Sequence, residues 1–383
     1  MPIKTGVYKT VADERGSYEA FIPHPLPPAQ PLLSGERNHL LQQAENSLAR
    51  LQLAVSIVPS PHVFVYSFIR KEAVISSQIE GTQATLPDLI TATADTLPKE
   101  QDADIEEVCN YVRAVEFCLA EMQKDGGLPI STRLLCGAHR HLMQGVRGQS
   151  KMPGELRRSQ NWVGGSSPQN ARYVPPPPEH LPQLLSDLEK YVHGKDELPL
   201  LVRVGLLHVQ FESIHPFVDG NGRVGRLLIA LLLKHWGLLS EPLLYMSLFF
   251  KRQRLEYYDR LNAVRTEGDW DGWLSYFLRG VVETADEAVH CAGEITKLLA
   301  HDRIKIINFP KSTLTTLKLF ELFPKHPAMT VARAAQLLAT TRQTAHSTIN
   351  ILRQLGIVDE ITAKQRSRIF CYTAYVDLLK KED

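Results

Sequence analysis

Cysteine is scarce in this chain and forms no recognisable pattern. The five cysteines (Cys109, Cys118, Cys136, Cys291, Cys371) contain no CxxC pair and are odd in number. They read as free thiols in a reducing compartment, mostly as core fillers, rather than as a disulfide framework. An apolar signal segment is also missing from the N-terminus, MPIKTGVYKT, and no run approaches the length of a spanning helix. A cytoplasmic protein with no membrane segment is the expectation. Charge of one sign is lacking too: 43 Lys and Arg against 42 Asp and Glu leave a formal charge of +1. No strong overall field draws the chain to nucleic acid or membrane, so any basic face is local. Internal repeats and low-complexity tails are absent.

What is present is enough chain for two or three cooperating units, 383 residues at 44% hydrophobic. Residues 1 to about 34 lack helical periodicity and carry the proline-rich FIPHPLPPAQPLL, which suits an extended arm laid on the main body. Apolar spacings of three and four predict helices from Ser34, over Pro61 to Glu80, and over Asp102 to Gln123, with Ser131 capping another through Met143. Gly145 to Pro178 changes texture. Its two short β-like pieces, Asn161–Val163 and Arg172–Val174, predict a hairpin or flap. Helices resume over Glu179–His193, Pro199–Ser213, Leu227–Trp236, Lys251–Thr266 and Asp269–Ala300. After Asn308-Phe309-Pro310, a helix over Leu314–Phe323 is followed by a helix capped by Thr330 and one over Gln343–Leu355. Strands over Ile357–Ile361 and Arg368–Thr373, joined at Ala363 to Ser367, complete a winged-helix unit. The fold class is mainly α. Residues 1–100 form an N-terminal arm and helices, 101–300 a helical body with a β-hairpin flap, and 310–383 the winged-helix domain.

The chemistry concentrates in Ile214 to Arg226, IHPFVDGNGRVGR, flanked by two dense apolar runs. His215, at the mouth of a buried helix and before Pro216, is placed to accept a proton near neutral pH. Its plain alternative is a helix-terminal histidine meeting a carbonyl. Asp219 is a hard oxygen ligand suited to Mg²⁺ shared with substrate phosphates, or else a turn residue. Gly220-Asn221-Gly222 permits close backbone approach and a nest of N–H groups ahead of a helix starting near Arg223. Arg223 and Arg226 share a face of that first turn, where positive charge is unfavourable unless an anion is bound.

HPFVDGNGRVGR fits the signature HPFxDGNGRxxR at every specified position, so the chain resembles the Fic family over roughly residues 20 to 290. PGELRRSQNWVGG (Pro153 to Gly165) and ARYVPPPPEHLPQLL (Ala171 to Leu185) are similar to the family's flap and its return, and Arg254 to Gly280 to its distal helices. The resemblance implies a Fic-type helical bundle that transfers AMP from ATP to a Ser, Thr or Tyr hydroxyl of a protein, releasing pyrophosphate. By that resemblance His215 is the base, and Asp219 holds Mg²⁺ against the α- and β-phosphates. Asn221 and the amides of Gly220, Gly222 and Gly225 serve the phosphates, Arg223 the β-phosphate and Arg226 the γ-phosphate. Tyr257 and Tyr258 are offered for the adenine, of which at most one can meet it. Trp162 and Val163 in the flap would register a target peptide by strand addition.

SSQIEG, Ser76 to Gly81, is similar to the family's inhibitory motif (S/T)xxxE(G/N), with Ser76 and Glu80 at the specified positions. Glu80 can pair with Arg226, withholding the cation from the γ-phosphate, and an Arg–carboxylate pair of this kind is often bidentate. The same glutamate could orient water for the reverse reaction, de-AMPylation. The C-terminal unit is about five charges positive over residues 310–383, with eleven Lys or Arg against six Asp or Glu. Arg342, Gln343, His346, Ser347 and Asn350 populate its recognition helix, and Lys364, Arg366 and Arg368 its wing, which suits DNA. Protein binding or dimerisation is the alternative for such a unit, and the helical body also offers a surface for a homodimer. A reading of another class is therefore a nucleotide-sensing DNA-binding regulator.

Overall fold

The computed structural model describes residues 4–14, 16–29, 32–33, 35–57, 61–94, 102–145, 151–362 and 368–380. The N-terminal residues are not a simple arm. Strands β1 (Gly6–Asp13) and β2 (Gly16–Pro23) pair antiparallel from Gly6 opposite Pro23 to Asp13 opposite Gly16. Pairing satisfies backbone groups that an extended arm would leave to water. It also buries Tyr18 and Ala20 on one face and Phe21 on the other.

Helix α1 (Glu36–Ile57) runs against the last long helix of the body, and α2 (Pro61–Ile79) carries the SSQIEG stretch at its end. A short helix, α3 (Leu86–Ala92), was not expected. It is nucleated by a capping box in which Thr85 and Asp88 hydrogen-bond reciprocally, with Pro87 in the first turn. Helices α4 (Ala103–Gln123) and α5 (Thr132–Leu142) begin at their caps Asp102 and Ser131. The flap follows, reduced to a single antiparallel bridge between Val163 and Tyr173. A 3-10 turn, Pro178–His180, leads into α6 (Leu181–His193).

Helix α7 (Leu200–Ile214) is buried along its length from Leu201 onward, and α8 (Asn221–His235) buries most of its residues against it. Such all-round burial is why both read as unbroken apolar runs. The expected helix over Lys251–Thr266 is two helices, α9 (Met246–Arg252) and α10 (Arg254–Glu267), which meet at Gln253 with a non-helical ψ of 41°. Helix α11 (Trp270–Asn308) extends eight residues past the expected end at Ala300 and spans the body. No helix among the described residues is long and apolar enough to cross a membrane.

The C-terminal unit runs α12 (Leu314–Leu322), β3 (Ala328–Thr330), α13 (Val331–Leu337), α14 (Arg342–Gln354), β4 (Asp359–Glu360), β5 (Ile369–Cys371) and α15 (Thr373–Lys380). Its strands order β3-β5-β4, both pairs antiparallel. Strand β3 and helix α15 were not expected. The turn at 363–367, with Lys364 and Arg366, lies outside the described residues. Packing does not stop at Pro310: Phe320, Phe323, Tyr372 and Tyr375 belong to the same apolar cluster as the body. Ser67 on α2 bonds the Pro324 carbonyl at 3.1 Å and the Tyr375 hydroxyl at 2.9 Å, and Lys71 donates to the Leu379 carbonyl at 2.7 Å.

Candidate active site

The loop between α7 and α8 is held by backbone and side-chain bonds that leave its mouth open. His215 ends α7 in the left-handed region, φ 50° and ψ 59°, which is uncommon for a residue other than glycine. Its N–H still donates to the Phe211 carbonyl at 2.9 Å, and its own carbonyl accepts from Arg157 Nε at 2.9 Å. The main chain is thus fully engaged while the imidazole lines the cavity. Burial, then the charges of Arg265 and Arg157, depress its pKa to about 3. His215 is neutral at pH 7 and able to accept a proton.

The Asn221 side chain is not available to a phosphate. Its Oδ1 accepts from the Phe217 N–H and its Nδ2 donates to the Phe217 carbonyl, both at 2.8 Å. It staples the loop, leaving its main chain at the α8 N-terminus as the part that lines the cavity. The first amides of α8 have no acceptor within the helix and, with the dipole, favour an anion there. Gly220 takes φ 76° at the α8 N-cap, a conformation that glycine adopts without cost.

A residue that sequence reasoning missed holds this loop from outside. His139 on α5 accepts from the Gly154 N–H at Nδ1, 2.9 Å, so its Nε2–H donates to the Asp219 carbonyl at 3.1 Å. Its ring stacks on Phe217 at 3.9 Å, and burial lowers its pKa to about 4. The Asp219 side chain is about half exposed, with Oδ1 accepting from the Gly220 N–H at 2.6 Å. That leaves carboxylate lone pairs facing the cavity. Among the described residues no group of three or more His, Cys, Asp or Glu side chains can cage a metal. The donor set fits a cation held by one carboxylate together with phosphates and water, and not a closed protein site.

The two arginines go separate ways. Arg226 is 3% exposed, and Nη2 donates to Glu80 Oε1 at 2.6 Å. The pair is not bidentate: Ser76 also holds the guanidinium, with its Oγ accepting from Nε at 2.9 Å and its carbonyl from the same Nη2 at 2.9 Å. Ser76 in the last turn of α2 and Glu80 just past its end thus grip the same side chain. Burial opposes charge on Glu80, but Arg226 outweighs it and holds the carboxyl below its ordinary value. Gly222 permits the approach, since a Cβ there would stand 2.4 Å from Glu80 Oε1. Arg223 instead ion-pairs with Glu107 on α4 and lines a second cavity of about 220 Å³ with Glu106, Asn110 and Asp219. Gly225 does not line the main cavity; it packs on α7, where a Cβ would stand 2.3 Å from Glu212 Oε1.

The main cavity measures about 470 Å³ and joins these elements. His215, Asp219, Gly220, Asn221, Gly222, Arg226, Glu80, Tyr257, Tyr258, Trp162 and Val163 all line it; Arg223, Gly225, Ser76 and Gly81 do not. Of the tyrosines, Tyr257 is 1% exposed, with its hydroxyl 2.8 Å from His208 Nε2 and its ring 4.3 Å from Phe250. Tyr257 is a core residue that reaches the wall, and Tyr258 is the more accessible. Trp162 and Val163 are exposed at the flap edge. The return strand behind them is fixed by Tyr173, which donates to the Ser213 carbonyl at 2.5 Å, under the Arg265 guanidinium 3.8 Å from its ring. Glu212, one turn before His215, was also missed. It is 6% exposed, its Oε1 has no hydrogen-bond partner, and burial pushes its carboxyl up to about 7.

Compared with known proteins, the chain is similar to members of one family. Residues 38–120 match the model described as Fic/DOC family N-terminal, and residues 129–233 match that of the Fic/DOC family. A probable protein adenylyltransferase of Aquifex aeolicus is 27% identical over 181 residues, covering 46% of this chain and 51% of that protein. Protein adenylyltransferase Fic of Aedes aegypti is 33% identical over 150 residues, 39% of this chain and 26% of that protein. The Drosophila melanogaster protein of the same name is 36% identical over 138 residues, 36% of this chain and 24% of its own length. The chain thus spans between a quarter and a half of these relatives. Among solved structures, a Fic family protein from Desulfovibrio desulfuricans aligns with TM-score 0.57 at 21% identity, over 90% of this chain and 98% of the other. A Fic domain-containing signalling protein from Bacteroides thetaiotaomicron aligns with TM-score 0.50 at 20% identity, over 67% and 97%. These structural likenesses establish the fold.

Proposed function

We propose that this chain, which is a Fic family protein, is an autoinhibited protein adenylyltransferase that moves AMP from ATP to a hydroxyl side chain of a target protein. The observation that carries the proposal is the convergence on one cavity of a neutral imidazole, a half-exposed carboxylate, the α8 amides and a buried guanidinium. Phosphoryl-type transfer asks mainly for positioning and charge stabilisation, which such a set supplies. The names of the curated relatives point the same way.

In this mechanism the α-phosphate rests against the N-terminal amides of α8, and Arg226 meets the γ-phosphate. The target Ser, Thr or Tyr hydroxyl loses its proton to His215 as its oxygen bonds the α-phosphorus. The bond from that phosphorus to the bridging oxygen breaks, and pyrophosphate leaves. Asp219 would hold Mg²⁺, which offsets the phosphate charge when bound. Tyr258 offers a face to the adenine, and the Trp162–Val163 edge aligns the target backbone. Arg223 reaches the β-phosphate only by exchanging Glu107 for it.

Glu80 is the brake. While it holds Arg226, the γ-phosphate has no cation and the α-phosphorus lies out of line for attack. The C-terminal unit reads as a winged-helix module joined to this enzyme. The proposal is tested by incubating the chain with ATP and host lysate and identifying by mass spectrometry a protein whose hydroxyl carries AMP. No adenylylated peptide from either the native chain or a Glu80→Ala chain would overturn it.

A further inference from the structure

The stretch from β3 through α14, residues 328–357, contains Arg333, Arg342, Arg353 and His346 and no aspartate or glutamate. Helix α14 turns Ala345, Thr348, Ile349 and Leu352 into the core, and its opposite face presents Arg342, Gln343, His346 and Ser347 to solvent. None of those outward side chains is apolar, and among the described residues no carboxylate pairs with Arg342. A thirteen-residue helix rises about 20 Å and fits the major groove of B-form DNA, with its first two turns at the base edges. Protein-docking faces are enriched in aromatic residues at their centre. This face has none, and its donors and positive charge match phosphates and base edges.

The same unit is fastened to the helix that carries the brake. Ser67 and Lys71 on α2 bond Pro324, Tyr375 and Leu379, and Glu80 follows the end of α2 roughly 14–20 Å further along by helical rise. Helix α2 is therefore common to the α14 unit and the catalytic cavity. We propose that the α14 face docks duplex DNA, and that its occupancy is coupled through α2 to the Glu80–Arg226 pair. The second half rests on the reading of that pair as a brake. By linkage, a duplex that changes nucleotide affinity must have its own affinity changed by the same factor.

The full chain is titrated against a fluorescent pool of random-sequence duplexes one to two turns long, with anisotropy as the readout. Binding that weakens steeply with salt is expected, and Arg342→Ala should weaken it roughly tenfold. No binding at low salt, or equal binding by Arg342→Ala together with His346→Ala and Ser347→Ala, overturns the DNA face. Capture of a host protein by this face without duplex binding overturns it too, in favour of a protein partner. Coupling is read from the duplex Kd with and without a non-hydrolysable ATP analogue, and from the analogue Kd with and without duplex. Equal shifts of about fivefold or more are expected. Ser67→Ala with Tyr375→Phe removes both hydroxyls of the α2–α15 bond and should keep each single affinity while shrinking that factor. Duplex binding indifferent to the analogue sinks the coupling and leaves the DNA face standing. The Glu80→Ala transfer rate, measured without DNA, reports separately on the brake.

Discussion

Replacing Glu80 by alanine should make the protein faster and less stable at once. Arg226 is buried, and its side chain donates one short charge-assisted bond to a carboxylate that is itself about a third exposed. Such a bond contributes about 1.5–3 kcal/mol net, and the exposed end favours the lower part of that range, about 2 kcal/mol. An incoming γ-phosphate must displace this bond, so only roughly one molecule in thirty is competent in the braked chain. Glu80→Ala therefore raises the initial rate of AMP incorporation roughly thirtyfold at subsaturating ATP, while ATP-free stability falls by about 2 kcal/mol as Arg226 loses its counter-charge. Glu80→Gln keeps an acceptor without its charge and falls between. The assay pairs incorporation rates with denaturant unfolding on the same preparations. A stability loss with an incorporation rate unchanged within about threefold would make the pair a structural contact and refute the reasoning.

Three other outcomes follow from the site. His215→Ala should lower AMP transfer by about 10²–10⁴ without changing ATP affinity, measured by single turnover and calorimetry; an unchanged rate would remove the imidazole from the chemistry. Asp219→Asn should abolish the Mg²⁺-dependent part of ATP affinity in a metal titration, and an undiminished metal response would assign the cation elsewhere. Glu212 has a folded pKa near 7, above an unfolded value near 4.3, so its contribution is complete below the unfolded value and lost as pH rises toward 7. Glu212→Gln should gain on the native chain by about 1.4 kcal/mol per pH unit across that window in unfolding experiments. Parallel profiles would mean that the carboxyl is ionised throughout.

Local constraints made the central loop legible. The glycines, the Asp-Gly turn and the misplaced arginines between two apolar helices each imply something about a neighbour a few residues away. Glu80–Arg226 was legible through the family resemblance, since both members lie in motifs similar to the family's despite their separation of 146 residues. The residues that complete the site were not. His139, Glu107 and Arg265 reach the loop only through tertiary packing, 80 residues away in the case of His139 and Asp219, and nothing in their own surroundings distinguishes them. Asn221 was expected at the phosphates through the family resemblance; the loop's need for a staple at Phe217 appears only in three dimensions. Among the elements, α3 starts at a capping box of Thr85 and Asp88, and its seven residues are too few for periodicity to register. The break at Gln253 has no proline or glycine to mark it. β3 is only three residues long and α15 only eight, and both depend on the packing of the C-terminal unit for their existence.

The central claim is that His215 and its cavity move AMP from ATP onto protein, and that Glu80 restrains them. The most direct measurement incubates the native chain, Glu80→Ala and the double variant Glu80→Ala with His215→Ala in host lysate with ATP labelled at either the α- or the γ-phosphorus. The account predicts protein-bound label from α-labelled ATP alone, strongest with Glu80→Ala and lost in the double variant. Label arriving from the γ-position, or persisting without His215, would contradict it.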